Sequence, residues 1–195
     1  MTATMLHSVA YRSVLTLCKE LINKYQQQFN PRLFVEIGAS IGGNARSIFP
    51  DAEYYNLDIK ASEHIPTIVT DITKECAISG VDLIYSSDCF EHLKKPWLAA
   101  DNLSSMLHIG GFIFISTVFS WRYHPVPEDY YRFTPAGLMA LFEDKITCLE
   151  TNFNSYFRRH NIVGRWSNKK DAVPVDDFGG FRENWRVYYF GQRSC

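Results

Sequence analysis

Three stretches of the 195-residue chain combine residue types and spacings that suit chemistry. In "VEIGASIGGN", Val35 to Asn44, the carboxylate of Glu36 sits two positions before Gly38 inside an apolar run, and Ser40, Gly42 and Gly43 make up a turn of small residues. A second set follows later apolar runs: Asp58, 20 positions beyond Gly38, then Asp71, then Ser86-Ser87-Asp88. The third is "STVFSWRYHPVPEDYYRFTPAGL", Ser116 to Leu138. Its Phe119, Trp121, Tyr123, Tyr130, Tyr131 and Phe133 offer aromatic faces that stack on a sugar or a flat ring. His124, Glu128 and Asp129 are possible bases there, Arg122 and Arg132 possible anion partners, and Pro125, Pro127 and Pro135 restrict the backbone.

A glycine turn with an acid at that spacing suits a nucleotide whose ribose hydroxyls the acid accepts. NAD and S-adenosylmethionine fit alike, and a tight structural turn is the third reading. A dinucleotide presents a pyrophosphate, which favours G-x-G-x-x-G and makes a nearby acid unwelcome; here Ser40 stands at the second glycine position. S-adenosylmethionine carries an ammonium and a sulfonium, beside which Glu36 is useful. Alternatively, Glu36 only bonds the turn's own amides.

These residues need a scaffold. Residues 5–28 have Val9, Val14, Leu17, Leu21 and Tyr25 near helical spacing. Arg32–Ile37, Tyr54–Asp58, Thr67–Ile72, Val81–Ser86 and Phe112–Phe119 are short apolar runs of the kind found in central strands. Helices are expected from near Gly42, over about Pro96 to Leu107 with Gly110-Gly111 as its stop, and from Thr134-Pro135. In the second, Leu93, Trp97, Ala100, Leu103 and Leu107 form one stripe. Strands alternating with helices predict an α/β domain with a mainly parallel sheet covered by helices on both faces. Lys145–Asn152 and Trp185–Phe190 read as two further strands. One domain is expected over 1–195: an N-terminal helical segment (1–30), a cofactor-binding core (33–142), and C-terminal strands and loop (143–195).

Composition narrows the class. With 46% hydrophobic and 21% charged residues this is the make-up of a globular protein, and a net charge of −1 gives no field that would draw nucleic acid. No apolar run approaches the roughly 20 residues of a membrane span. Arg12, Lys19, Glu20 and Lys24 interrupt the N-terminal apolar residues, unlike a secretory signal. The five cysteines lack metal-ligand spacing and read as reduced thiols, so a cytoplasmic location is expected. The six histidines are dispersed without H-x-x-x-H spacing, and no metal is expected.

"VDLIYSSDCFEHLKKPWLAADNLSSMLHIGGFIFISTV" resembles the segment around strands four and five of class I S-adenosylmethionine-dependent methyltransferases, the small "type 11" group in particular. "VEIGASIGG" is similar to that family's first motif, E/D-x-G-x-G-x-G, with Ser40 for one glycine, and the resemblance spans about residues 33–142. It implies a Rossmann-like methyltransferase fold with S-adenosyl-L-methionine as cofactor. Gly38, Ser40 and Gly42 would form the turn against the methionine part, with Glu36 beneath. Asp58 would accept both ribose hydroxyls and Ile59 flank the adenine. Asp71 would accept from the adenine amino group with Ile72 near the ring, and Ser87 lies where carbonyls receive the ammonium. The lesser alternative for Asp71 is a helix cap before "TKE". Glu91 and His92 match the family's E-H pair, for which a structural role opening the following helix is expected.

"HPVPEDYYRFTP" resembles a segment of family members that accompany glycan and cell-surface biosynthesis enzymes. The expected activity is therefore O-methylation of a small polar acceptor, such as a sugar or glycan precursor. His124 is the expected base, because an imidazole accepts a proton near neutral pH. Asp129 is the alternative base or the group that orients His124; Trp121, Arg122, Tyr123, Tyr130 and Arg132 would contact the acceptor. The other reading is an ordered loop in which Asp129 pairs with Arg132. Basic "RRHNIVGRWSNKK", Arg158 to Lys170, reads as a solvated loop or as a clamp for an acceptor phosphate. Two competing classes remain. An NAD-dependent oxidoreductase would keep the turn and Asp58 but finds no Tyr-x-x-x-Lys pair, and a catalytically silent cofactor-binding partner subunit would keep every cofactor residue.

Overall fold

The computed structural model describes residues 13–39, 44–75, 78–154 and 185–194. Ten elements run in the order α1 (Val14–Tyr25), β1 (Leu33–Ile37), β2 (Glu53–Asp58), β3 (Thr67–Val69), β4 (Val81–Ser87), α2 (Pro96–Met106), β5 (Leu107–Ser120), α3 (Pro135–Phe142), β6 (Ile146–Phe153) and β7 (Trp185–Arg193). Alternate residues of a strand face opposite sides of its sheet, and both sides here are apolar. Phe34, Leu83, Phe112 and Phe114 pack with Leu17, Cys18, Leu21 and Ile22 of α1. Their neighbours Val35, Ile84, Ile113 and Ile115 pack with Ala99, Ala100 and Leu103 of α2 and Leu138 and Phe142 of α3. Helices thus cover both faces, and each large side chain sealed this way contributes roughly 1.5–3 kcal/mol.

The seven strands lie in the order β3-β2-β1-β4-β5-β7-β6. β1 is parallel to β2 and β4, β2 to β3, and β4 to β5. β7 runs antiparallel between β5 and β6. The chain winds outward from β1 through β2 to β3, then returns to the other side of β1 for β4 and β5. The connections after β1 and β4 therefore part in opposite directions and open a crevice beyond their carboxyl ends, where open parallel sheets bind ligands.

Several sequence expectations are corrected. The turn after β1 leads into a short 3-10 helix, Asn44–Ile48, where a longer helix was expected. β3 stops at Val69 because Asp71 and the residues after it form a turn. Gly110-Gly111 does not stop α2. That helix ends at Met106, and the glycines lie inside β5, where the pairing skips from Val81–Leu107 to Leu83–Phe112. Gly110 has φ +93, and a Cβ on Gly111 would stand 2.8 Å from the Val81 carbonyl oxygen, so this bulge tolerates no side chain at Gly111. Trp97, expected on the buried stripe of α2, is 49% exposed. The N-terminal helix is described from Val14, and the expected Val9 contact lies outside the described residues. Thr134 caps α3 as expected, its hydroxyl accepting from the Gly137 amide at 3.0 Å.

Candidate functional site

β1 delivers Glu36 and Gly38 to the crevice. Gly38 has φ +69, and a Cβ there would meet the Cys89 sulfur at 2.8 Å, so glycine is demanded by both backbone and space. Its amide donates to the Leu57 carbonyl at 2.9 Å, and the next amide, Ala39, donates to Asn56 Oδ1 at 3.0 Å. Asn56 is fully buried on β2, and its Nδ2 donates to Thr67 Oγ1 at 3.3 Å. Glu36 is buried; it accepts from the Tyr54 hydroxyl and from the Ala45 amide, which opens the 3-10 helix. Burial raises the Glu36 carboxyl above its ordinary range, against those two bonds. Ser40, Gly42 and Gly43 lie outside the described residues.

Asp58 closes β2 at the rim, its Oδ1 accepting from the Lys60 amide at 3.1 Å, and Ile59 beside it is 60% exposed. Asp71 Oδ1 accepts from the Thr73 hydroxyl at 2.6 Å and the Thr73 amide at 3.0 Å, while Lys74 Nζ stands 3.1 Å from Oδ2. The Thr73 hydroxyl is the first cause holding this carboxyl below its ordinary range, partly opposed by burial and assisted by the Thr73 amide and Lys74. Asp71 thus caps its own turn, and Ile72 is buried in the core. Ser87 ends β4 opposite Ser116. Next, Asp88 takes φ 53; its carboxylate receives both Nε and NH2 of Arg186 at 2.7 Å, and the guanidinium lies 4.7 Å over the Trp121 ring. Cys89 walls the turn. Desolvation pushes its thiol up to about 12, so it stays protonated near neutral pH.

The segment after β5 folds back over this end of the sheet. Phe133 donates its amide to the Val118 carbonyl, and Tyr130 and Tyr131 donate theirs to the Glu91 carbonyl, at 2.8–3.2 Å. Arg132 explains the loop's shape. Nε donates to the Trp121 carbonyl, NH2 to the Arg122 carbonyl and Asp129 Oδ2, and NH1 to the Tyr131 carbonyl and Asp129 Oδ1. Those bonds use all five donors of a guanidinium, so Arg132, expected to meet acceptor anions, holds the loop instead. Asp129 is equally committed. Besides Arg132 it accepts from the His124 amide at 2.8 Å and lies 3.0 Å from His124 Nδ1. Burial raises its carboxyl, but Arg132 and the His124 amide outweigh that and bring it to about 2. A carboxyl held that low is a poor proton acceptor near neutral pH.

The aromatic residues divide. Phe133 and Tyr131 pack against the core, and Phe119 meets Phe153 and Trp185. Trp121 faces His124 and Arg186. Tyr123 and Tyr130 remain 43% and 44% exposed, and Arg122 is exposed at the surface. Arg158–Lys170 lies outside the described residues.

Glu91 and His92 do not open α2, which begins at Pro96; they form a separate 3-10 turn, Phe90–His92. Glu91 is completely buried, its Oε2 accepting from the Thr117 hydroxyl at 2.6 Å, and the rings of His92 and His124 meet edge to face at 4.9 Å. Sequence reasoning missed Asn56, Cys89, Thr117 and Arg186. A buried amide inside the apolar "YYNLD" was the one signal for Asn56, and an arginine beside Trp185 in a strand the one for Arg186.

No protein-family model matches the chain, and no curated protein matches it by sequence. Solved structures do. One is the 1,6-didemethyltoxoflavin-N1-methyltransferase of Burkholderia thailandensis with S-adenosylhomocysteine bound: TM-score 0.63, 11% identity, 94% of this chain and 79% of that one. A methyltransferase assigned as such in Bacillus halodurans gives TM-score 0.64 at 9% identity over 90% and 98%. The [4+2]-cyclase SpnF gives 0.61 at 10% identity over 91% and 81%. At such identities the likeness is one of fold: this chain has the Rossmann-like methyltransferase fold, with a mainly parallel seven-stranded sheet.

Proposed function

We propose that this protein is an S-adenosylmethionine-dependent methyltransferase acting on a hydroxyl of a small polar acceptor, such as a sugar or glycan precursor. The observation that carries the cofactor choice is the state of the turn after β1. Its described amides at Gly38, Ala39 and Ala45 already donate to Leu57, Asn56 and Glu36. A dinucleotide's pyrophosphate would need such amides free, whereas a cofactor without phosphates needs only the glycine's close approach and a ribose acid at Asp58. The fold neighbours crystallised with S-adenosylhomocysteine support the same choice. Ile59, exposed at the rim, and Ile72 would border the adenine, and Ser87 the methionine end.

Methyl transfer breaks the sulfonium carbon–sulfur bond as an acceptor oxygen bonds that carbon; the thioether leaves neutral and the hydroxyl proton must go to a base. Placement supplies much of the rate. His124 Nε2 would take the proton, with Asp129 fixing the ring through Nδ1. Trp121 lies beside it, and exposed Tyr123 and Tyr130 would add faces on which a sugar can stack.

Calorimetric titration with S-adenosylhomocysteine, with NADH as control, tests the cofactor. Saturable binding is expected, weakened roughly 10- to 100-fold in Asp58→Ala by loss of charged hydrogen bonds. Binding of NADH alone, by protein shown to be folded, would overturn the reading. Labelled methyl transfer to a panel of sugars and nucleotide sugars tests the acceptor class, and a His124→Ala enzyme with full turnover would remove His124 from the mechanism.

A further inference from the structure

Three side-chain atoms converge where the loop after β5 meets the Phe90–His92 turn. Glu91 Oε1 has no hydrogen-bond partner although its residue is 0% exposed. It lies 3.9 Å from His92 Nε2 and 3.9 Å from His124 Nε2, and the three ligand atoms fall within 4.8 Å of one another. The tautomers follow from the far side of each ring. His92 Nδ1 meets the Glu128 carbonyl oxygen at 2.5 Å, which only accepts, so Nδ1 carries the hydrogen. His124 Nδ1 faces Asp129 Oδ2 at 3.0 Å and the Arg122 carbonyl at 3.2 Å, again only acceptors. With the hydrogen on Nδ1, each ring turns its Nε2 toward a buried carboxylate oxygen that lacks a donor.

At 3.9 Å neither ring nitrogen is within hydrogen-bond distance of that oxygen, and a cation among the three atoms would satisfy all of them. We propose that Glu91, His92 and His124 form a binding site for one divalent transition-metal ion of the zinc, cobalt or ferrous class. Two imidazoles and a carboxylate with room for exchangeable ligands are a donor set such ions take. Bonds of about 2.1 Å at tetrahedral angles put ligand atoms roughly 3.4 Å apart. Closing the two 3.9 Å separations needs about half an ångström, and the imidazole nitrogens, within 4.8 Å of each other, need up to about 1.4 Å; ring rotation is the available movement, because His92 and His124 keep 17% and 27% of their side-chain surface exposed. The hydrogen bonds from both Nδ1 atoms, and the Thr117 bond to the other Glu91 oxygen, orient all three ligands from behind. Were an ion bound, His124 Nε2 would be one of its ligands, and the metal would supply acidification of a coordinated hydroxyl, whose proton would pass to solvent.

The test uses the full chain freed of metal by a chelator and dialysed. Titration with Co²⁺, followed by its visible absorption, and with Zn²⁺ by calorimetry, is expected to saturate at one equivalent. His92→Ala and His124→Ala should each weaken binding at least tenfold, and Glu91→Gln likewise if it folds. His108→Ala, whose ring pairs with Asp82 at 2.8 Å, should leave binding unchanged. No binding of either ion, or an undiminished equivalent in the His92→Ala/His124→Ala double variant, would overturn the site. The readout needs no cofactor, so failure here leaves the S-adenosylhomocysteine titration standing, and the reverse holds.

Discussion

Replacing Gly38 with alanine tests the turn after β1 at the atom where its logic is tightest. Two costs are separable. The φ of +69 places an L-residue in the left-handed region, at about 1–2 kcal/mol. The new Cβ would stand 2.8 Å from Cys89 Sγ and 3.2 Å from Cys89 Cβ, overpacking worth roughly 1–3 kcal/mol. The sum, roughly 2–5 kcal/mol, corresponds to a Tm lower by about 5–15 °C for a domain of this size. Urea unfolding of the wild type, Gly38→Ala, Cys89→Ala and the double variant forms a cycle. The double variant should recover much of the steric part and keep the backbone part, because removing sulfur leaves φ unchanged. Affinity for S-adenosylhomocysteine should fall in Gly38→Ala and return only partly in the double variant. A Gly38→Ala protein within about 0.5 kcal/mol of wild type, with unaltered affinity, would refute both the conformational and the close-approach arguments.

Two further outcomes follow from neighbouring residues. Asn56→Ala strands the Ala39 amide and removes a fully buried side chain, so it should lower stability by about 1–3 kcal/mol in urea unfolding and loosen cofactor binding. Asp71 has a carboxyl held low by Thr73 first and then Lys74, so its contribution is present above the unfolded carboxylate value of about 3.9 and is lost as pH falls through the lower folded value. The stability gap between wild type and Asp71→Asn should therefore be largest at neutral pH and shrink below about pH 4. It should also be small and salt-sensitive, because the carboxylate is a third exposed. A gap that widens on acidification would contradict the assigned cause.

Continuous apolar runs in β1, β4 and β5 made the two-sided sheet legible, because successive residues such as Phe34-Val35 and Ile113-Phe114 face opposite helices. The Thr134-Pro135 start of α3 was legible for a local reason: one hydroxyl and one ring decide it. The bulge at Gly110-Gly111 was not. A helix C-terminus and a crowded strand both ask for glycine, and only the neighbouring β4 carbonyl says which applies. The loop after β5 was legible in its residue types but not in its assignments. Arg132 and Asp129 look like ligand-binding groups until their partners are counted, and those partners are mostly backbone carbonyls and amides that no side-chain pattern reveals.

The same count explains where reactivity is left on this surface. Asp129 and Arg132 spend their charges on each other and on the loop backbone, and Asp88 and Arg186 form a second bidentate pair that ties β7 to the end of β4. Glu36 satisfies the turn's amide and the Tyr54 hydroxyl. Each of these charges is consumed in holding a neighbour, which fixes the crevice walls without directing strong charge into them. Among the described residues, one carboxylate oxygen of Glu91 is not consumed in this way: it is buried without a hydrogen-bond partner, 3.9 Å from Nε2 of both His92 and His124, which is why the proposed metal site is placed there.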